Sequence, residues 1–192
     1  MNDQLKIDFK KTLDSLELSK ENIELRRKNL NHFIENGFPN KRVEDWKFSD
    51  LNQIISSNIK DLSFYNNVDL SSKINQSIYI NNFKHNKIVF INGTISNIDF
   101  SNEEKDKIEI VKSLDFKDDL ITSNTLVSLN SALISHYIKI IVKENYSLNK
   151  PLVIYNITNN KLNSKVINLR TDITLEKNST LKLINLLEDT SE

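Results

Sequence analysis

The chain has 192 residues, 38% of them apolar, and its 26 Lys+Arg balance 26 Asp+Glu to a formal net charge of zero. That length suits about one domain with room for a small second one, the charge balance argues against a general nucleic-acid binder, which carries a basic excess, and the absence of cysteine excludes disulfides, thiolate metal sites and a cysteine nucleophile. No apolar run is long enough for a membrane-spanning helix, and Met1–Phe9, with Asp3, Lys6 and Asp8 among its apolar residues, does not read as a secretory signal. The expectation is a cytoplasmic protein with no nucleic-acid or membrane partner. Asn occurs 28 times and Ile 25 times, against 2 Gly and a single Ala. Individual asparagines therefore carry little weight, whereas each glycine must answer a backbone need.

Read in chain order, the first 60 residues carry helical periodicity. Phe9, Leu13 and Leu16 share one face of a short helix. Ser19 is a good N-cap for a second helix, with Glu21 and Glu24 near its positive end and Leu18 and Ile23 placed as a hydrophobic staple. Ile23, Leu30, Phe33 and Ile34 continue the stripe, and Gly37 with Pro39 ends it. Ser49 can cap a further short helix through Leu51, Ile54 and Ile55, and residues 56–76 read as loop with some helix. The period then changes from 3.6 to 2. Ile78 and Ile80 alternate with polar neighbours, and Lys87–Ile91 is a strand by its β-branched content. Asn92-Gly93 follows as a two-residue hairpin signal, because both positions tolerate positive φ, and Thr94–Phe100 is the return strand. Residues 101–107 read as a solvated turn and Ile108–Val111 as one more strand. Leu126, Leu129 and Leu133 restore a helical pattern over Ser123–Ile134. Four β-rich runs follow without intervening helices: Tyr137–Val142, Leu152–Ile157, Val166–Leu175 and Thr180–Leu187. Their spacing fits a sandwich, a barrel or a β-solenoid equally well.

The segment from Gly37 to Leu51 stands apart. It reads Gly-Phe-Pro-Asn-Lys-Arg-Val-Glu-Asp-Trp-Lys-Phe-Ser-Asp-Leu and holds the only Trp and one of the two prolines. This stretch resembles, without a gap, the hallmark of the SufB/SufD iron–sulfur cluster assembly family, on its SufD side. The positions that carry the likeness are Gly37, Pro39, Glu44, Trp46, Lys47, Asp50 and Leu51. Later segments agree in order: Lys87–Gly93 resembles the family's strand ending in Asn92-Gly93, Leu126–Leu133 resembles its segment with Leu129, Asn130 and Ala132, and Ile138–Pro151 resembles its next strand and loop. The sole Ala and both glycines fall on family positions.

The resemblance implies an α+β chain. A helical N-terminal region (1–76) and a small β element (77–122) would precede the first coils of a right-handed parallel β-helix (123–192). In the family that β-helix is longer and a later helical region docks the ATPase, so a truncated or short form is expected. The implied function is a non-catalytic scaffold, pairing with a SufB-like subunit beside a SufC-like ATPase. Iron–sulfur cluster and ATP would be handled by those partner subunits, with no cofactor bound directly. The family's cluster-related groups lie in later coils, and none is carried onto this chain. A β-rich binding or adaptor module unrelated to cluster assembly is the alternative reading.

The residues themselves suggest no enzyme. Adjacent carboxylates at Glu44-Asp45, Glu103-Glu104 and Asp118-Asp119 do not share a face and read as solvated charges. His32, His85 and His136 are far apart in sequence, outside any metal-ligand spacing. There is no Gly-rich phosphate loop and no nucleophile elbow, so no catalytic, cofactor-binding or metal-binding residue is assigned. Trp46 is expected to pack across helices, with Glu44, Asp45 and Lys47 as a charged helix entry.

Overall fold

The computed structural model describes residues 2–58, 62–64, 78–114, 124–159 and 165–190. Its elements in order are α1 (Asn2–Asp14), α2 (Lys20–Asn36), a single 3-10 turn (Glu44–Trp46), α3 (Leu51–Asn58), β1 (Asn86–Ile91), β2 (Thr94–Asp99), β3 (Ile108–Lys112), α4 (Thr125–Leu133), β4 (His136–Val142), β5 (Leu152–Thr158), β6 (Leu169–Leu175) and β7 (Leu183–Asp189). The fold is mixed α+β. Two compact units divide it, the first from Met1–Asn66, Leu114–Ser135 and Ser164–Arg170, the second from Asn67–Ser113, His136–Asn163 and Thr171–Glu192.

The first unit is helical. Ser19 caps α2 by accepting from the Asn22 N–H, as its sequence position predicts. Gly37 closes the helix at φ 70° and ψ −165°, a region essentially restricted to glycine. The Gly37 N–H meanwhile reaches the Phe33 carbonyl at 2.7 Å. The core joins Leu5 and Phe9 of α1, Leu30 and Phe33 of α2, Phe38, Phe64, and Leu129, Ala132 and Leu133 of α4. Phe33 and Phe38 meet edge to face with centroids 5.0 Å apart, the geometry aromatic quadrupoles prefer. The buried face of α2 is not the expected apolar stripe. Asn22, Arg26 and Asn29 are buried with Leu30 and Phe33, while Ile23 and Ile34 are half-buried. α3 begins where expected, but Asp50 and not Ser49 is its cap, accepting from the Gln53 N–H at 2.9 Å.

The second unit holds two open sheets, ordered β2-β1-β5-β7 and β3-β4-β6; neither closes into a barrel. Asn92 (φ 49°) and Gly93 (φ 84°) turn β1 into antiparallel β2. β5 pairs parallel with both β1 and β7. Its pairing with β7 keeps one constant offset from Leu152↔Leu183 to Thr158↔Asp189. Beside it, the Ser135 N–H reaches the Asn168 carbonyl and the Glu176 N–H reaches the Val142 carbonyl. Residue numbers therefore rise together along β4 and β6, so that pair is parallel too. A parallel bridge from Ser147 to Thr180 joins the corners between them. β4-turn-β5 is thus stacked, level on level, under β6-turn-β7. Side chains repeat across the levels: Asn178 Nδ2 donates to Asn145 Oδ1 at 3.0 Å, and Asn156 Nδ2 to Asn185 Oδ1 at 2.7 Å.

Two expectations fail in this unit. Ile78 and Ile80 belong to no strand; they and Tyr79 pack on Val89, Val153, Tyr155 and Ile157. Residues 101–107 do form turns, but Glu104 within them is buried. The readings of residues 59–61 and 65–77, and of Asp118-Asp119, lie outside the described residues. Among the described residues no helix is long and apolar enough to cross a membrane.

Candidate functional site

The segment singled out by its sequence is an exposed loop with tied ends. Phe38 packs in the helical core and Pro39 beside it is buried. The Leu51 N–H then reaches back to the Pro39 carbonyl at 3.2 Å, closing residues 40–50 into a compact excursion. Successive turns hold its interior: Val43 N–H to Asn40 O, Trp46 N–H to Val43 O and Ser49 N–H to Trp46 O. Asn40 Oδ1 also accepts from the Arg42 N–H at 2.9 Å. Glu44 and Lys47 pair at 2.9 Å on the outer surface, a geometry worth about 0.3–0.5 kcal/mol when exposed. The Lys47 ammonium lies 5.3 Å from the centroid of Phe48, and that ring is 88% exposed. Val43 is exposed as well. Trp46 is half-buried, in the 3-10 turn.

The other motif positions do not gather around this loop. Leu129 and Ala132 fill the helical core, and Asn130 Nδ2 holds the Leu169 carbonyl at 3.2 Å. Asn92 and Gly93 lie in the second unit. There the Asn92 amide is buried, donating to Asn159 Oδ1 at 2.8 Å and accepting from the Asn159 N–H at 3.1 Å. Gly37, Pro39, Asp50 and Leu51 fix the ends of the exposed loop, and Glu44, Trp46 and Lys47 form its surface.

Three buried charges escaped the sequence reading, and each secures irregular backbone. The Arg26 guanidinium is fully buried; its Nε donates to Asn22 Oδ1 at 2.7 Å and its Nη1 to the Ile134 carbonyl at 2.6 Å. Longer bonds reach the carbonyls of Ala132 and Leu114. A cation thus sits at the negative end of α4, where the helix dipole favours it. Asp8 accepts from Gln4 at 2.9 Å and from the Phe64 N–H at 2.9 Å, pinning residues 62–64 to α1. Glu104 is covered by the turns it binds. It accepts from Asn86 Nδ2 at 2.6 Å, Ser101 Oγ at 3.0 Å, and the N–H groups of Asn149 at 2.7 Å and Lys150 at 3.3 Å. Burial pushes this carboxyl up, but the four hydrogen bonds outweigh that and hold it below the ordinary glutamate range. Glu104 is therefore no solvated charge, unlike its exposed neighbour Glu103. The signal that could have found Arg26 is the polar interruption it makes in the Asn22–Arg26–Leu30–Phe33 face of α2. Nothing local separates Glu104 from Glu103.

The histidines are dispersed. His32 Nδ1 lies 3.0 Å from Ser128 Oγ, His85 Nε2 lies 2.9 Å from the Tyr155 hydroxyl, and His136 Nε2 lies 3.4 Å from Thr94 Oγ1. Burial pushes the His136 imidazole below its ordinary pKa. Among the described residues, no three His, Asp or Glu side chains are placed to hold a metal ion.

A second exposed feature lies on the outer strands. Ile173 and Leu175 of β6 and Leu183 and Leu187 of β7 are exposed, Leu187 to 81%. β6 and β7 are edge strands, so backbone N–H and C=O groups accompany these side chains. Both exposed features combine apolar side chains with polar groups: a charged pair in the loop and edge-strand backbone beside β6 and β7. Compared with models of known families and with curated proteins, the chain matches none.

Proposed function

We propose that this chain is a non-catalytic scaffold subunit of a SufBCD-type iron–sulfur cluster assembly complex, resembling SufD. The observation that carries this reading is the parallel stacking of β4-turn-β5 under β6-turn-β7, joined to the Gly37–Leu51 hallmark. Stacked parallel levels with matching side chains suit the first coils of the β-helix that the resemblance implies. The outermost level offers an edge rather than a finished surface. Leu175, Leu183 and Leu187 are exposed on strands that lie at sheet edges among the described residues, which suits pairing with further coils or with a SufB-like subunit. In this reading the cluster is cargo and ATP hydrolysis belongs to a SufC-like partner. The chain's own contribution is rigid placement, with the 40–50 loop as a docking surface, in the cytoplasm.

Co-expression tests the reading. The chain, carrying an affinity tag, is produced with SufB-like and SufC-like subunits and purified at moderate salt. A stoichiometric complex is the expected outcome, and Leu187→Lys should release the SufB-like subunit while leaving the chain folded. Recovery of the chain alone in the presence of both folded subunits would overturn the assignment.

A further inference from the structure

A hydrogen-bond relay in the second unit runs through one histidine, His85, and it stands independently of the proposed cluster-assembly role. Residues 78–85 cross the four-stranded sheet as a strap, with Ile78, Tyr79 and Ile80 packed on Val89, Val153, Tyr155 and Ile157. β7 adds only Ile184 and Leu186 to that cluster. The strap's polar hold is a chain of three bonds. The Ile80 N–H donates to the Tyr155 hydroxyl at 3.2 Å. That hydroxyl lies 2.9 Å from His85 Nε2, and His85 Nδ1 lies 2.6 Å from the Phe83 carbonyl.

The directions of these bonds are forced. A carbonyl can only accept, so Nδ1 carries the proton. Nε2 of the neutral ring is then the acceptor, and the Tyr155 O–H must donate to it. Phe83 stacks on the imidazole with centroids 5.5 Å apart, and Tyr79 meets Tyr155 edge to face at 5.1 Å. The charged groups nearby are Lys87 of β1, whose ammonium sits 4.9 Å from the centroid of Tyr79 and pairs with Asp99 of β2 at 3.2 Å, and Lys84, exposed in the strap. Among the described residues no carboxylate pairs with the ring.

We infer that the strap 78–85 is a pH-responsive latch, closed while His85 is neutral and loosened when it takes up a proton. An imidazolium has two donors and no acceptor. Its Nε2–H would face a phenol oxygen already receiving the Ile80 N–H, and the Tyr155 O–H would lose its acceptor. Tyr155 is 1% exposed, so water does not replace that acceptor, and a buried donor without one is costly.

The test is amide hydrogen exchange on the full chain, read as protection factors at about pH 7.5 and about pH 5, which bracket ordinary histidine titration. Protection of the Ile80 amide should fall on the order of tenfold at the lower pH, while the Val89 amide keeps its protection. His85→Gln retains an acceptor that cannot protonate in this range, so its Ile80 protection should be flat with pH. Equal Ile80 protection in the wild type at both pH values overturns the latch, as does an undiminished pH response in His85→Gln. A further reading on the wild type stands even if the variant misfolds: nitrogen shifts should show His85 protonated on Nδ1 at neutral pH, and the Nε2–H form would sink the inference.

Discussion

The helical unit and the β unit face the same problem and solve it with opposite charges. In the first, α2 sends a buried cation, Arg26, to the carbonyls that end α4. In the second, a turn sends a buried anion, Glu104, to the N–H groups of a strand-to-strand corner. Chain ends of helices expose carbonyls and tight corners expose N–H groups, so the sign of the buried charge follows from the backbone it must satisfy. The units differ in how they finish. The helical unit leaves one short loop proud of its surface, anchored at both ends by core residues. Among the described residues, the β unit leaves β6 and β7 at sheet edges, with backbone groups directed outward.

The largest expected effect tests the cation. Arg26→Ala leaves the carbonyls of Ile134 and Ala132 buried without their charged donor, and should cost about 3–5 kcal/mol in urea unfolding. A loss below about 1 kcal/mol would show that water reaches this site. Its counterpart is Glu104→Gln, in which an amide replaces an oxygen that two backbone N–H groups or two side chains require; about 2 kcal/mol should be lost near neutral pH.

Acidification sharpens the same comparison. The folded values of both Glu104 and His136 lie below their ordinary ones of 4.5 and 6.5, so the unfolded chain takes up each proton first. Stability from these groups is complete above about pH 6.5. The His136 share is lost as pH falls from about 6.5 toward its lowered folded value, and the Glu104 share as pH falls from about 4.5 toward its own. Unfolding midpoints measured from pH 8 to pH 3 should therefore decline in two stages, and Glu104→Gln should flatten the lower one. Gly37→Ala comes next. A Cβ there meets no atom within 4 Å, so only backbone strain acts, at about 1 kcal/mol. The smallest effect belongs to the open edge: Leu187→Lys should leave stability within about 0.5 kcal/mol of the parent. A larger drop would mean that the edge is already covered in the free protein.

Local grammar made much of this fold legible. Ser19, Gly37 and Asn92-Gly93 act through neighbours two to four residues away, so their roles could be read directly. The β-rich runs fell where β4, β5, β6 and β7 stand, because alternation needs no distant partner. The buried charges and the strap were missed because of distance. Arg26 binds carbonyls more than a hundred residues along the chain, and Glu104 binds N–H groups about as far from it as β5 is from β3. Tyr155 receives the strap residue Ile80 from across the sheet, which is why Ile78 and Ile80 mimic a strand without forming one.

Among the described residues, the non-glycine positions with positive φ are Asn82, Asn92, Asn145 and Asn178. In a chain with two glycines, asparagine has taken over the left-handed corners, since its short amide tolerates that conformation and bonds locally. Asparagine is also less free than glycine before folding, so less disorder is surrendered when each corner forms. Part of the firmness of these turns therefore originates in the unstructured polypeptide. Exchanging any of the four for glycine would relax the native corner and still make the folded state harder to reach.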